Sequence, residues 1–152
     1  MVISQLSSTV MQELRTLLEQ MNSRALALEE ISKQEQEAIH VLDSDRIMQL
    51  TDRRVAAHQQ LGQLEAQCHA LLKQQSIPDD MTLEVVIDIY GGAQATEFQA
   101  IRRKLYEQVL HVDQYNQENR LRLLAAYNVT SSLLQQLGIT KTENTYSRST
   151  VK

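Results

Sequence analysis

Apolar residues recur through most of the chain at intervals of three and four, the spacing that places side chains on one face of an α-helix. The first run begins near Thr9, which with Gln12 three positions later fits a capping box. It continues to about Leu42, and the break from Asp43 to Asp45 offers a new helix N-cap. The pattern predicts a first helix of ~30 residues, ~45 Å long at 1.5 Å per residue.

The second apolar run alternates steps of three and four residues, which is typical of a coiled-coil seam. Arg54 interrupts the seam at one position. The helix should end before Pro78, because the residue before a proline is disfavoured in the α conformation. The seam residues of this second predicted helix are Ile47, Leu50, Ala57, Leu61, Leu64, Cys68 and Leu71.

A short third helix is predicted from a cap at Asp79 or Asp80 to about Ile89. The segment 83–87 contains enough β-branched residues for a strand. We favour a helix, because the chain offers no second strand to pair with it. The residues 90–92 (Tyr-Gly-Gly) then close this segment.

The last predicted helix is the longest and runs from about Ala93 to Leu137, with Gly138 placed to end it. Its seam residues are Ile101, Leu105, Val109, Val112, Asn116, Asn119, Leu123, Ala126, Thr130, Leu133 and Leu137. Such seams are buried against one another. The sequence therefore predicts an all-α fold, an antiparallel long-helix bundle or helical hairpin over residues 1–137, followed by a flexible C-terminal tail, 138–152.

Composition narrows the possible partners and the compartment. The net charge of −4 is a poor match for nucleic acid, which requires a basic excess. No apolar run approaches the ~20 residues that span a bilayer, and no signal peptide is recognisable, so we expect no stable membrane insertion. The single cysteine cannot form an internal disulfide, which fits a cytoplasmic location.

The sequence offers little for catalysis, metals or cofactors. Glu37 and His40 form one pair with the spacing used by di-iron bundles, but a second pair is missing, so we interpret them as a solvated face. Cys68 lies on the apolar seam, where a small buried thiol is the ordinary explanation. We therefore expect a binding protein that is not an enzyme and needs no cofactor.

Two polar features are not explained by simple core packing. Asn116 and Asn119 lie on the seam of the last helix, where buried amides need partners and can fix register. The alternative is that both are partly exposed near a loop. In the tail, Tyr146 has little core to join, and tyrosine is a frequent anchor in protein interfaces.

Several of these stretches, in the same order, resemble the FlgN family of flagellar export chaperones. The Asn116-x-x-Asn119 pair and the tail Thr145-Tyr146 are the most specific of them. The chain departs from the family pattern at Arg53-Arg54, where a lysine is common, and at Ser147, where a glycine often follows the tyrosine. The other matching stretches are Glu35-x-Glu37-Ala38-Ile39, Asp43 to Asp45, Ile47-x-x-Leu50, Leu61-x-x-Leu64-Glu65, Leu71-Leu72 and Leu123-Leu124.

The resemblance implies a cytoplasmic chaperone that binds hook–filament junction (hook-associated) proteins and delivers them to the flagellar type III export gate. We expect Tyr146 to dock at that gate. The alternative for Leu133 and Leu137, which lie on the seam, is that they close the bundle core. The residues expected to contact the substrate protein are Leu133, Leu134, Leu137, Ile139 and Val151.

A rival interpretation from another class is a structural coiled-coil or tethering protein that associates with itself through these seams. It predicts a stable homodimer or filament and no role for the tail.

Overall fold

The computed structural model describes residues 4–138, which form four α-helices. The elements are α1 (Ser8–His40), α2 (Ser44–Gln74), α3 (Leu83–Tyr90) and α4 (Ala95–Gln136), with a 3-10 turn (Gly92–Gln94) before α4. The predicted all-α bundle of long helices is confirmed, and residues 4–138 contain no strand. The predicted tail from residue 139 onward lies outside the described residues.

Side-chain caps fix where the first two helices begin. The hydroxyl of Ser7 accepts a hydrogen bond from the amide of Val10 at 3.2 Å, so α1 is capped two residues earlier than Thr9. The predicted cap at the first break is confirmed, since Asp43 accepts from the amide of Arg46 at 3.1 Å. A short polar side chain at each start satisfies a backbone N–H that the helix leaves unpaired.

In the connection between α2 and α3, the predicted end of α2 before Pro78 is confirmed, whereas the predicted cap of α3 is wrong. α2 ends at Gln74 because Ser76 takes a left-handed conformation, with φ of 63°, which turns Ile77 back into the core. α3 is capped by Thr82, which accepts from the amide of Val85 at 3.4 Å, and not by either aspartate. The aspartates are therefore turn residues.

The segment that could have been a strand is helical because this conformation buries two of its apolar residues on one side. Val86 and Ile87 are 0% and 1% exposed. The side-chain amide of Gln99 in α4 donates to the carbonyl of Glu84 at 2.8 Å, which fixes α3 against α4. A Cβ on Gly91 would collide with the carbonyl oxygen of Ile87, so only glycine permits this tight turn into α4.

α1 is the central helix of the bundle, packing against both α2 and α4, while α2 and α4 do not approach each other closely. α4 runs parallel to α1, because Arg15 pairs with Glu97 at 2.7 Å near one end and Ser32 contacts Asn119 towards the other. α2 runs antiparallel to both. The three long helices therefore run up, down and up.

The core consists of two apolar clusters stacked along α1. The first surrounds Leu14, Leu18 and Phe98, which are fully buried near the start of α1 and α4. The second, higher in the bundle, contains Leu28, Ile31, Ala38, Leu50, Ala57 and Val112. Packing is thus continuous from the first turn of α1 to its last.

Candidate binding surface at the end of the last helix

The two halves of α4 differ sharply in burial. Asn119, which is 4% exposed, is the last buried residue of α4 in the described chain. Beyond it the large apolar side chains are all exposed, from 40% at Leu134 to 73% at Leu137. We call residues 120–137 the free end of α4; its exposed large apolar residues are Leu121, Leu123, Leu124, Tyr127, Val129, Leu133, Leu134 and Leu137.

The outer part of the free end, from about residue 128, is uncovered because α4 is longer than the helix on which it packs. α1 ends eight residues after Ser32, at His40. α4 continues for 17 residues after Asn119, to Gln136. Since the two helices are parallel and Ser32 lies beside Asn119, α4 extends roughly nine residues, or ~14 Å, beyond the end of α1.

A buried polar layer marks the point where regular packing of α4 on α1 stops. The side-chain amide of Asn119 donates to the carbonyl of Ser32 at 2.8 Å, and its oxygen accepts from Arg122 at 2.9 Å. The hydroxyl of Ser32 donates to the side-chain oxygen of Asn116 at 3.0 Å. These bonds have a fixed partner and direction, so they hold α4 in one register on α1.

A buried acid lies in the same part of α1 and contacts α2. Glu35 is 4% exposed, and its nearest cation is Arg54, with the guanidinium Nε 3.7 Å from a carboxylate oxygen. Burial raises the pKa of Glu35, and the charge of Arg54 opposes part of that rise. Burial, followed by the charge of Arg54, lowers the pKa of His58 on α2.

An apolar groove of about 930 Å³ opens between the end of α1 and the free end of α4. The turn after α1 supplies Val41 and Leu42, and α4 supplies Val129 and Leu133. Leu42 takes a left-handed backbone conformation, with φ of 55°, which is unfavourable for a leucine. Its side chain is nevertheless 57% exposed, so the strained turn presents an apolar group to the groove.

The predicted contact residues fall on both sides of the boundary of the described chain. Leu133, Leu134 and Leu137 lie on the free end, and Leu133 also lines the groove. None of these three closes the core, because each is at least 40% exposed. Ile139, Tyr146 and Val151 lie outside the described residues.

Sequence reasoning missed two features of this region. The apolar pattern predicts a helix to about Leu42, whereas Val41 and Leu42 form an exposed turn, for which the signal is an apolar pair beside an acidic break. The burial of Glu35 was also missed. The signal for it was Arg54, a cation on an apolar seam, which needs an anionic partner when half-buried.

The polar groups of the described residues give no sign of catalytic chemistry. Cys68 is buried on the α2 seam, and burial raises the pKa of its thiol to about 11, so the thiolate is scarce at neutral pH. Glu37 and His40 are both exposed. Between residues 4 and 138, no three histidines, cysteines or acids are grouped to hold a metal ion.

No helix within the described range is long and apolar enough to cross a membrane.

The fold and its uncovered apolar end define an all-α protein of long packed helices with an open binding surface. The chain matches the profile of the FlgN protein family over residues 10–150, so it belongs to the FlgN family. That family consists of flagellar type III export chaperones, and the chain has this general role. No curated protein and no solved structure matches the chain.

Proposed function

We propose that this chain is a cytoplasmic chaperone for hook–filament junction (hook-associated) proteins, which it delivers to the flagellar type III export gate. The single observation that supports it most is the free end of α4, where eight large apolar residues are exposed in 18 positions. Such a concentration of exposed large apolar residues is typical of a binding site.

The shape of this surface suits a helical client. Before assembly, junction proteins have amphipathic helical ends that need covering. An amphipathic helix binds by laying its apolar face into a groove, through residues spaced by three and four. The groove between Leu42 and Leu133 has two apolar walls, which is the arrangement that such a helix requires.

The strained turn at Leu42 supports the same site. Glycine would adopt this left-handed conformation without strain. A leucine exposed to solvent in the turn adds no stability to compensate for the strain. Unfavourable backbone conformations are concentrated at functional sites. We infer that Leu42 contacts the client together with Leu133, Leu134 and Leu137.

The tail has two further roles in the proposal. Ile139 and Val151 extend the client contact, and Tyr146 docks at the export gate. Tyr146→Ala should leave the melting temperature unchanged and reduce export of junction proteins in motility or secretion assays. A large loss of stability would mean that the tyrosine packs on the bundle, and its docking role would be wrong.

The client site is tested by titration calorimetry of the full chain with a purified junction protein. Leu133→Glu places a charge in the groove and should weaken binding at least tenfold, or about 1.4 kcal/mol. Asn128→Glu adds the same charge to the exposed free end, away from the groove lining, and should bind like the unaltered chain. Equal effects of the two variants would contradict the groove as the site.

A chain truncated after Leu137 separates the tail from the bundle in the same titration. Weaker binding on truncation supports contacts by Ile139 and Val151, whereas unchanged binding confines the client to the free end and groove. No binding by the full chain would contradict the chaperone proposal and favour the self-associating coiled-coil protein.

A further inference from the structure

α4 carries a second seam, on a side that no other helix covers. Its apolar members are Tyr106, Leu110, Leu124 and Tyr127, which are exposed by 58%, 48%, 56% and 68%. They lie on average about 115° round the helix from Val112, which faces the core, at 100° per residue. An exposed apolar stripe on one helix, with polar residues between its ends, indicates an interface with another helix.

The centre of the second seam is polar and contains opposite charges. Asp113, Gln117 and Arg120 continue the spacing between Leu110 and Leu124, so successive steps along the seam are four, three, four, three, four and three residues. All three central residues are exposed. Neither Asp113 nor Arg120 forms an ion pair in the described part of the chain.

The order of residue types along the second seam is the same in both directions, except that acid and base exchange places. Outward from Gln117, one direction gives Asp113, Leu110 and then Tyr106. The other direction gives Arg120, Leu124 and then Tyr127 at matching distances, to within one residue. A seam of this kind is complementary to itself when it is turned end over end.

We propose that two copies of this chain associate through the second seam, with their α4 helices antiparallel and crossing at Gln117. In this arrangement Asp113 of each copy faces Arg120 of the other, and the leucines and tyrosines pair at both ends. A parallel arrangement would instead place Asp113 against Asp113 and Arg120 against Arg120. Like charges in facing positions disfavour that arrangement, so the charges specify the antiparallel one.

The dimer is closed, because a two-fold contact uses the same surface on both copies and leaves none for a third. This distinguishes it from a filament-forming coiled coil. Val129 and Leu133 lie on the opposite side of α4 from the second seam, so the client groove stays open. Leu137 is 20 residues from Gln117, which separates the two free ends by ~60 Å. The inference does not depend on the proposed function.

Sedimentation velocity of the full chain, from ~1 µM to ~1 mM, measures this association directly. We expect a reversible monomer–dimer equilibrium. Asp113→Arg and Arg120→Asp should each weaken the dimer at least tenfold, since each places like charges opposite one another. The double variant restores opposite charges and should recover most of the affinity. Glu107→Arg changes the charge by the same amount on another side of α4 and serves as the matched control.

A second measurement reports the orientation. Gln117→Cys, in a Cys68→Ala background, should be cross-linked between copies by a short bismaleimide, whereas Asn128→Cys should not. The proposal is overturned if the chain stays monomeric throughout the concentration range, or if the double variant is as weak as the single ones. Equal cross-linking at 117 and 128 would also overturn it. Client binding is measured separately, so either proposal can fail alone.

Discussion

The two halves of α4 have similar apolar spacing but opposite environments. In the half from Ala95 to Asn119, Phe98 and the seam residue Val112 are buried against α1. In the half from Arg120 to Gln136, Leu133 continues the same spacing and is 52% exposed. Sequence periodicity therefore identifies a face that can be covered, while the length of the neighbouring helix decides whether it is covered inside the same molecule.

This difference in burial indicates different roles for the two halves of α4. Burial of apolar area stabilises the fold, so the packed half should contribute most of the stability that α4 provides. The free end contributes little to the fold and keeps its apolar surface available for a partner. The polar layer around Asn119 lies at the boundary between the two regions. It fixes the register of α4 on α1, because a shifted α4 would leave buried amides unpaired.

The largest expected contrast comes from truncating one apolar residue in each half. Phe98→Ala should lower the free energy of unfolding by about 3–5 kcal/mol, because a fully buried ring leaves a cavity. Leu133→Ala should change it by less than about 0.5 kcal/mol, as for a surface substitution. Urea denaturation monitored by circular dichroism measures both. Comparable losses would show that the free end is packed in solution.

The boundary between the halves is tested by Asn119→Ala. The substitution leaves the carbonyl of Ser32 and the guanidinium of Arg122 without this partner, and should cost about 1–3 kcal/mol. Asn116→Ala is the matched comparison and should cost less, because Asn116 is only half-buried. If the order of the two losses is reversed, the polar layer is not centred on Asn119.

A substitution in the turn after α1 should separate stability from binding. Leu42→Gly relieves the left-handed conformation and should raise stability by about 0.5–1 kcal/mol, while weakening client affinity through the lost side chain. Leu42→Ala keeps the strain and should weaken binding without raising stability. A turn that is not part of the site would give unchanged affinity for both variants.

The smallest effect is a pH dependence in the packed region. Because burial raises the pKa of Glu35, the folded state binds a proton on the Glu35 carboxyl more tightly than the unfolded state does. The stability from this group is present below its unfolded pKa of about 4.3, and is lost as pH rises through the folded pKa. Glu35→Gln removes the titratable carboxyl and with it this loss of stability at higher pH.

Thermal melts at several pH values measure this effect. The stability of Glu35→Gln relative to the unaltered chain should rise as the pH increases from the unfolded pKa of Glu35, about 4.3, through its raised folded pKa. Glu37→Gln, at an exposed site on the same helix, is the matched control variant. A constant or falling difference for Glu35→Gln would mean that Arg54 compensates the burial completely.

Most of the fold could be predicted from the chain, because local signals and burial agree. The cap at Asp43, the long helices and the helical third segment are all present in the structure. The cap of α3 was misplaced, since Asp79, Asp80 and Thr82 are all good caps and only packing of Val86 and Ile87 selects Thr82. Local sequence cannot decide between neighbouring caps of equal quality.

The candidate site was less accessible to sequence reasoning. Leu133, Leu134 and Leu137 could be identified as apolar, but their exposure depends on where α1 stops relative to α4, which is a tertiary property. Leu42 could be recognised as part of an apolar pair beside an acidic break, but its left-handed conformation, which leucine rarely adopts, could not be predicted. The pairing of Glu35 with Arg54 likewise required the register between α1 and α2.

Hydrogen–deuterium exchange of the full chain, alone and with a purified hook–filament junction protein, tests the division of α4 most directly. In the free protein, amides from about residue 98 to 119 should exchange slowly and those from 128 to 137 quickly, since the first group is packed on α1 and the second lies beyond its end. Adding the junction protein should slow exchange in 120–137 and around Leu42, and leave 98–119 unchanged. Equal protection of both halves in the free protein, or client-induced protection confined to 98–119, would contradict the account.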